Sequence, residues 1–329
     1  MSDAPLLELR NLSTHYVSAR GMRVVRAVDD VSLTLAPGST LGMVGESGSG
    51  KSTLALTILR LLPLAAKITS GEMRFEGEDL LKKSDGEMRR IRGKRIAMIL
   101  QDPMASLNPL FTIGDQVAEP LRVHEGERRA TAWTRATGLL KSVRISAPEW
   151  RVREYPHQMS GGMRQRIVGA IAISCAPRLL IADEPTTSLD LTIQAQYLNL
   201  LRDLQRQHHL ALIFITHNLG IVAKMCDQVA VMYAGRLVEW GPVTRIFDSP
   251  AHPYTRALLE SIPRMGDSRD RLTAIEGQPP DLAGLPSGCA FHPRCPQAMA
   301  HCRVEAPPGT ALGPSHTARC WLNVPAVAR

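Results

Sequence analysis

Residues Gly45 to Ser52 read GESGSGKS, and no other stretch limits so sharply what this chain can fold into. They fit G-x-x-x-x-G-K-[ST], preceded by the short apolar run Thr40–Val44 and followed by the apolar-periodic segment KSTLALTILRLL, which Pro63 stops. The pattern predicts a strand, a glycine-rich loop and a helix. Glycines let backbone N–H groups close around phosphate oxygens, and the helix start adds the positive end of its dipole. Gly45, Ser47, Gly48, Ser49 and Gly50 are therefore the candidate cradle, with Thr53 in the first helical turn beside it. Lys51 would place a point charge on the β and γ phosphates, and Ser52 would offer its hydroxyl to Mg²⁺. The implied ligand is a nucleoside triphosphate.

The rest of the chain suits an α/β protein. Leu6–Val17 and Val24–Leu35 mix branched and polar residues around turn signals at Ser18–Gly21, and they predict a small β layer. A helix-prone polar stretch runs from about Thr112 to Arg144. Leu179–Ala182 and Leu210–Thr216 are continuous apolar runs, separated by a helical segment over Thr192–His208. Such runs alternating with helices predict a parallel sheet buried on both faces. Composition shifts near Ser249 to Pro- and Gly-rich segments, which mark a small appended domain.

Several function classes are excluded or weakened. At 44% hydrophobic and 21% charged, 329 residues form an ordinary globular core rather than a disordered chain. The N-terminal MSDAPLLELR carries Asp3 and lacks a secretion signal, so a cytosolic location is expected. The most apolar stretch, Leu54–Ala66, is broken by Arg60 and Pro63 and falls short of the roughly 20 residues that span a bilayer. The net charge of +8 would suit nucleic acid, but Lys and Arg are scattered among acids without basic blocks.

Two further motifs bear on chemistry. RLLIADEP, residues 178–185, predicts a buried strand that delivers Asp183 and Glu184 at its end, where ligands sit in open α/β sheets. Asp183 is the candidate metal carboxylate, through water, and Glu184 the candidate base for an attacking water. In YPHQMSGGMRQR, Ser160, Gly161 and Gly162 stand immediately before an apolar-periodic helix and form a second phosphate-type helix start; Ser160 as a plain helix cap is the alternative.

Taken together these motifs resemble those of ATP-binding cassette (ABC) proteins over roughly residues 5–250. Gly45–Ser52 resembles the Walker A loop, Gln101 in MILQDP the Q-loop, Ser160–Met163 the signature, Arg178–Glu184 Walker B, Ser188–Asp190 the D-loop and His217 in FITHN the switch histidine. The resemblance implies a P-loop cassette over residues 1–250, with a RecA-like core, an antiparallel β layer and a helical subdomain at about 102–176, and a cysteine-rich extension over 251–329. It implies ATP and Mg²⁺, the metal held by Ser52, Gln101 and Asp183. It also implies a head-to-tail dimer in which each ATP lies between Walker A of one cassette and the signature of the other, with Asp190 of the D-loop among the nucleotide-binding residues. His217 would contact the γ-phosphate, Gln101 would sense metal and water, and Tyr16 would stack on adenine. Met163 departs from the commonest signature, which has glutamine; the phosphate contact belongs to Ser160 and the glycine amides, so activity should survive.

QDPMASLNP, MSGGMRQR, DEPTTSLDLTIQAQ, SPAHPYTRALLESIPR and the cysteine-bearing tail narrow the resemblance to the ATP-binding subunits of oligopeptide and dipeptide importers. That implies a peripheral protein on the cytoplasmic face of the inner membrane, paired with a second, different ATPase chain, two permease subunits and an extracytoplasmic binding protein. Nickel, glutathione and opine importers are similar, and a soluble cassette acting on nucleic acid is a different class. The tail as a metal or redox sensor carried by an ATPase is a third.

Four of the six cysteines lie in the tail, spaced C-x5-C-x6-C-x17-C: Cys289, Cys295, Cys302 and Cys320. The spacing lacks the C-x-x-C knuckles of zinc ribbons, which weakens zinc with His292, His301 or His316 as substitute ligands. Four thiolates can hold a [4Fe–4S] cluster, as some members of the importer subfamily do; zinc and no metal are the alternatives. Cys175 and Cys226, in apolar surroundings, are expected to be small buried hydrophobes.

Overall fold

The computed structural model describes residues 4–18, 23–187, 189–262 and 275–325. Asp3, most of the Ser18–Gly21 turn, Ser188 and part of the IPRMGD segment lie outside them. The chain divides into two compact units: residues 1–35, 40–81 and 215–329 form the first, and residues 36–39 and 82–214 the second.

In the first unit, β1 (Leu7–Val17) and β2 (Val24–Leu35) pair antiparallel, and β1 pairs on its other edge with β4 (Ala66–Phe75), followed by the short β5 (Glu78–Asp79). Leu7, Leu9, Leu12, Val31, Leu35, Met73 and Phe75 from these strands are buried. Alternation of apolar and polar residues puts one face of this layer inward, and both long strands lie where their β-branched and apolar content predicts. After β2 in sequence, β3 (Thr40–Val44) is buried along its whole length and leads into α1 (Lys51–Ile58). The apolar run predicts a helix reaching Pro63, yet α1 ends at Ile58, because Arg60 adopts a left-handed conformation (φ 51°) and donates from Nη1 to the carbonyl of Leu80 at 3.0 Å. A tertiary hydrogen bond thus stops the helix one turn before the proline does.

The second unit contains α2 (Asp85–Ile91), β6 (Ile96–Ile99), α3 (Pro103–Ser106), α4 (Ile113–Glu125), α5 (Arg129–Ser142), α6 (Pro148–Arg151), α7 (Gly161–Ile173), β7 (Leu179–Asp183), α8 (Leu191–His208) and most of β8 (Ala211–Ile215). β6 and β7 pair in parallel, and β7 is hydrogen-bonded on its other side to β8. All of β7 and β8 is buried, as continuous apolar runs require. The helix-prone stretch 112–144 is two helices, divided at Gly126 (φ 69°). Thr112 caps α4 by accepting from the Asp115 N–H, and Asp115 complements the helix dipole.

The first unit then resumes with α9 (Leu219–Met225), β9 (Gln228–Tyr233), β10 (Arg236–Pro242), α10 (Val243–Asp248) and α11 (Pro253–Glu260). β9 pairs in parallel with β3 and antiparallel with β10. The Pro- and Gly-rich tail contains structure that its composition hides: β11 (Thr310–Gly313) and β12 (His316–Ala318) form a hairpin, and β12 pairs with β10. Buried Glu239 on β10 anchors this region, accepting from the N–H groups of Ala251 and His252 (2.8 and 2.9 Å) and lying 3.0 Å from His316 Nε2. Among the described residues no helix is long and apolar enough to cross a membrane.

Candidate functional site

Two glycines of the phosphate loop sit where neighbouring backbone leaves no room for a side chain. Gly45, Gly48 and Gly50 have φ of 151°, 77° and 104°. A Cβ on Gly45 would stand 2.2 Å from the Met232 carbonyl oxygen, and one on Gly50 2.0 Å from that of Ala27. Backbone on both flanks therefore requires glycine at these two positions. Ser47 and Gly48 are exposed at the loop tip, and Ser49 is buried. Lys51 is 6% exposed and donates from Nζ to the carbonyls of Gly45 and Glu46, both at 2.9 Å, and to Ser49 Oγ at 3.2 Å. Its ammonium is thus held over the loop that would enclose the phosphates. Ser52 is exposed at the start of α1, and Thr53 Oγ1 lies 3.3 Å from Tyr16 Oη. That contact ties the predicted adenine-stacking tyrosine to the first turn of the phosphate helix. His217, also in this unit, is exposed just beyond Thr216, whose N–H donates to the Met43 carbonyl at the end of β3.

The second unit carries the hydrolytic candidates. Asp183 ends β7 and is 7% exposed; Glu184 follows in a left-handed conformation (φ 44°), which a non-glycine residue holds at a cost of about 1 kcal/mol or more. Two neighbours fix its carboxylate: Gln101 Nε2 donates to Glu184 Oε2 at 3.1 Å, and Thr187 Oγ1 donates to the same oxygen at 3.0 Å. The structure therefore joins Gln101 and Glu184, which are 83 positions apart, and adds Thr187, which sequence reasoning missed. The only local signal for Thr187 is its place three residues after Glu184, the spacing of a turn.

Ser160 does cap α7, its Oγ accepting from the Met163 N–H at 3.3 Å, while its neighbours Gly161 and Gly162 begin the helix. Gly162 is required by packing, since a Cβ there would meet Ile193 Cγ2 at 2.7 Å. Met163 contributes its backbone N–H to this cap, not its side chain. Asp190 caps α8, accepting at Oδ1 from Thr192 and Ile193 N–H at 3.1 and 3.0 Å.

In the tail, Cys289, Cys295, Cys302 and Cys320 are all free thiols, as are Cys175 and Cys226. The four stand close enough to repel one another as thiolates. Burial first, then that repulsion, raises the thiols of Cys289 (to about 11), Cys295 and Cys320. Each of these three sulfurs accepts a backbone hydrogen bond from two residues downstream: Phe291, Gln297 and Leu322 respectively. Among the described residues, however, no group of three or more His, Cys, Asp or Glu side chains is arranged to hold a metal ion. Burial and mutual repulsion favour the neutral thiol at Cys289, Cys295 and Cys320 in the metal-free chain. The substitute histidines for zinc are engaged elsewhere: His292 Nδ1 lies 2.9 Å from the Cys289 carbonyl, His301 packs against Trp321, and His316 meets Glu239. Burial raises the thiol of Cys226 to about 12 and also raises Cys175, in keeping with two inert hydrophobic cysteines.

Against known proteins, residues 28–187 match the family described as ABC transporter, and residues 238–302 match the C-terminal region of the oligopeptide/dipeptide transporter family. The chain is 50% identical to the "Probable peptide ABC transporter ATP-binding protein" of Sinorhizobium fredii, over 97% of this chain and 95% of that one. It is 46% identical to the oligopeptide transport ATP-binding protein of Haemophilus influenzae, over 97% and 98%. Among solved structures, the dimeric ATP-binding cassette MJ0796 bound to ADP and Pi is similar with a TM-score of 0.64 at 26% identity, over 72% of this chain and 98% of that one.

Proposed function

Because the chain belongs to the ATP-binding subunits of oligopeptide and dipeptide ABC importers, we propose that its motif residues perform ATP hydrolysis in the roles their places suggest. Gly45–Ser52 binds the triphosphate, Lys51 neutralises the β and γ phosphates, and Glu184 accepts the proton of the attacking water. Gln101 and Thr187 hold the Glu184 carboxylate in one orientation as an acceptor, and that arrangement is the observation that supports the reading. Ser52, Gln101 and Asp183 supply a hydroxyl, an amide carbonyl and a carboxylate. This all-oxygen set suits Mg²⁺, which stabilises the charge developing on the phosphates when bound. Tyr16 stacks on the adenine, and His217 reads the γ-phosphate.

In this reading the cassette pairs head to tail with a second, different ATPase chain, so that Ser160, Gly161, Gly162 and Asp190 of each complete the site of the other. Two permease subunits at the membrane and an extracytoplasmic binding protein complete the importer, which places this subunit peripherally on the cytoplasmic face. Glu184→Gln tests the core of it. Nucleotide binding should persist while turnover falls ~10²–10⁴-fold, the usual contribution of a general base. Turnover within tenfold of the parent would reject Glu184 as the base.

The four tail thiols, with three backbone N–H groups directed at their sulfurs, have the donor chemistry of a [4Fe–4S] site, and we assign the cluster to them as the finer reading. Anaerobically purified protein should then contain iron and acid-labile sulfide; colourless, iron-free protein would overturn it.

A further inference from the structure

The second residue of the phosphate loop, Glu46, is held by the C-terminal extension. Its carboxylate receives a two-pronged contact from Arg294, Nη1 to Oε2 at 2.7 Å and Nη2 to Oε1 at 3.0 Å. Its backbone N–H donates to Tyr254 Oη at 2.9 Å, and its carbonyl accepts from Lys51 Nζ at 2.9 Å. Glu46 therefore links the tail directly to the loop's lysine.

Arg294 is built to hold one position. Its side chain is only 5% exposed, and its remaining donors are taken up by the Glu276 carbonyl (2.9 Å), the Ile275 carbonyl (3.3 Å) and Tyr233 Oη (3.3 Å). A guanidinium has five N–H donors in a rigid fork, so each one here has an acceptor. Tyr233, Tyr254 and Phe291 pack against one another with ring centroids 4.5 to 5.3 Å apart, and the guanidinium lies 5.9 Å from the Tyr233 ring centroid. Arg294 also closes the turn His292–Arg294, between Cys289 and Cys295, and Cys289 N–H is bonded to the Cys302 carbonyl at 2.8 Å. The guanidinium is thus carried by the same short frame that groups the cysteines.

We propose that Arg294 and Tyr254 are positioning residues of the nucleotide site, and that the cysteine-bearing extension is a structural wall of the phosphate loop rather than an independent appendage. The proposal rests on the reading that Gly45–Ser52 binds ATP. Without the brace, Glu46 is free to swing toward solvent, carrying its carbonyl away from Lys51 and widening the loop. Affinity for the triphosphate then falls, whereas Glu184 and its partners remain intact. The expected signature is a raised KM with kcat little changed.

The test measures ATP binding and steady-state ATPase parameters on the full chain and its Arg294→Met, Glu46→Gln and double variants, with Lys51→Ala alongside. Arg294→Met keeps most of the side chain's apolar volume and removes the fork. Each single variant should raise the ATP Kd and KM about tenfold and leave kcat within about twofold, as loss of one charge-assisted two-pronged contact predicts. The double variant should be no worse than either single one, because both remove the same contact. Kd and KM within twofold of the parent in both single variants, or strictly additive effects, would overturn the brace. Active-site titration corrects for any folded yield lost on changing the buried Arg294, and Glu46→Gln probes the same contact from the more exposed side. If Lys51→Ala binds ATP as well as the parent, the assignment of the loop itself fails, an outcome distinct from failure of the brace.

Discussion

His252 should make the first unit acid-sensitive. Its imidazole is 1% exposed, its Nδ1 accepts the Tyr254 N–H at 3.0 Å, and its backbone N–H donates to Glu239. Burial pushes its pKa down from 6.5 to about 3. The native state thus holds His252 neutral, whereas the unfolded chain takes up a proton below pH 6.5, so stability is intact above that pH and declines as pH falls toward 3. With those two values the loss between pH 7 and pH 5 is on the order of 2 kcal/mol, a large share of a typical domain's stability. Urea unfolding followed by tryptophan fluorescence at both pH values would measure it, with Trp240 on β10 and Trp321 in the tail as probes in this unit. His252→Asn is the comparison, since asparagine can cap α11 as His252 does and does not titrate. The pH-dependent loss in the variant should be smaller than the parent's by roughly 2 kcal/mol, while all other titrating groups cancel. Equal losses in the two proteins would refute the reasoning.

Other outcomes follow from the same geometry. Gly50→Ala forces a Cβ to within 2.0 Å of the Ala27 carbonyl at a φ of 104°; ATP affinity should drop at least tenfold in an equilibrium binding assay, by strain of about 1–3 kcal/mol. Gly162→Ala should lower stability by about 1–3 kcal/mol through its clash with Ile193, and Ile193→Ala in the same chain should recover much of that loss in thermal unfolding. Met163→Gln should leave the ATPase rate within about twofold, since position 163 contributes a backbone N–H to the Ser160 cap. Cys226, with its thiol raised to about 12, should stay unlabelled by maleimide in the folded protein and react fully once unfolded, as peptide mass spectrometry would show.

What the sequence determined by itself was whatever short-range rules can write. The glycines of GESGSGKS specify positive φ and close backbone approach, and β3, α1, β7 and β8 announce themselves by apolar runs and periodicity. The motif order pointed to the ABC family, and the relatives bear that out. Tertiary structure decided the rest. α1 stops at Ile58 because of a hydrogen bond to Leu80, and the hairpin β11–β12 forms where Pro and Gly suggested only loop. Thr187 reaches Glu184, the candidate zinc histidines are occupied by other partners, and Arg294 meets Glu46 across 248 positions. Such contacts depend on where distant side chains converge, and a pairing that distant leaves no periodicity, turn residue or spacing in the intervening chain by which it could be read.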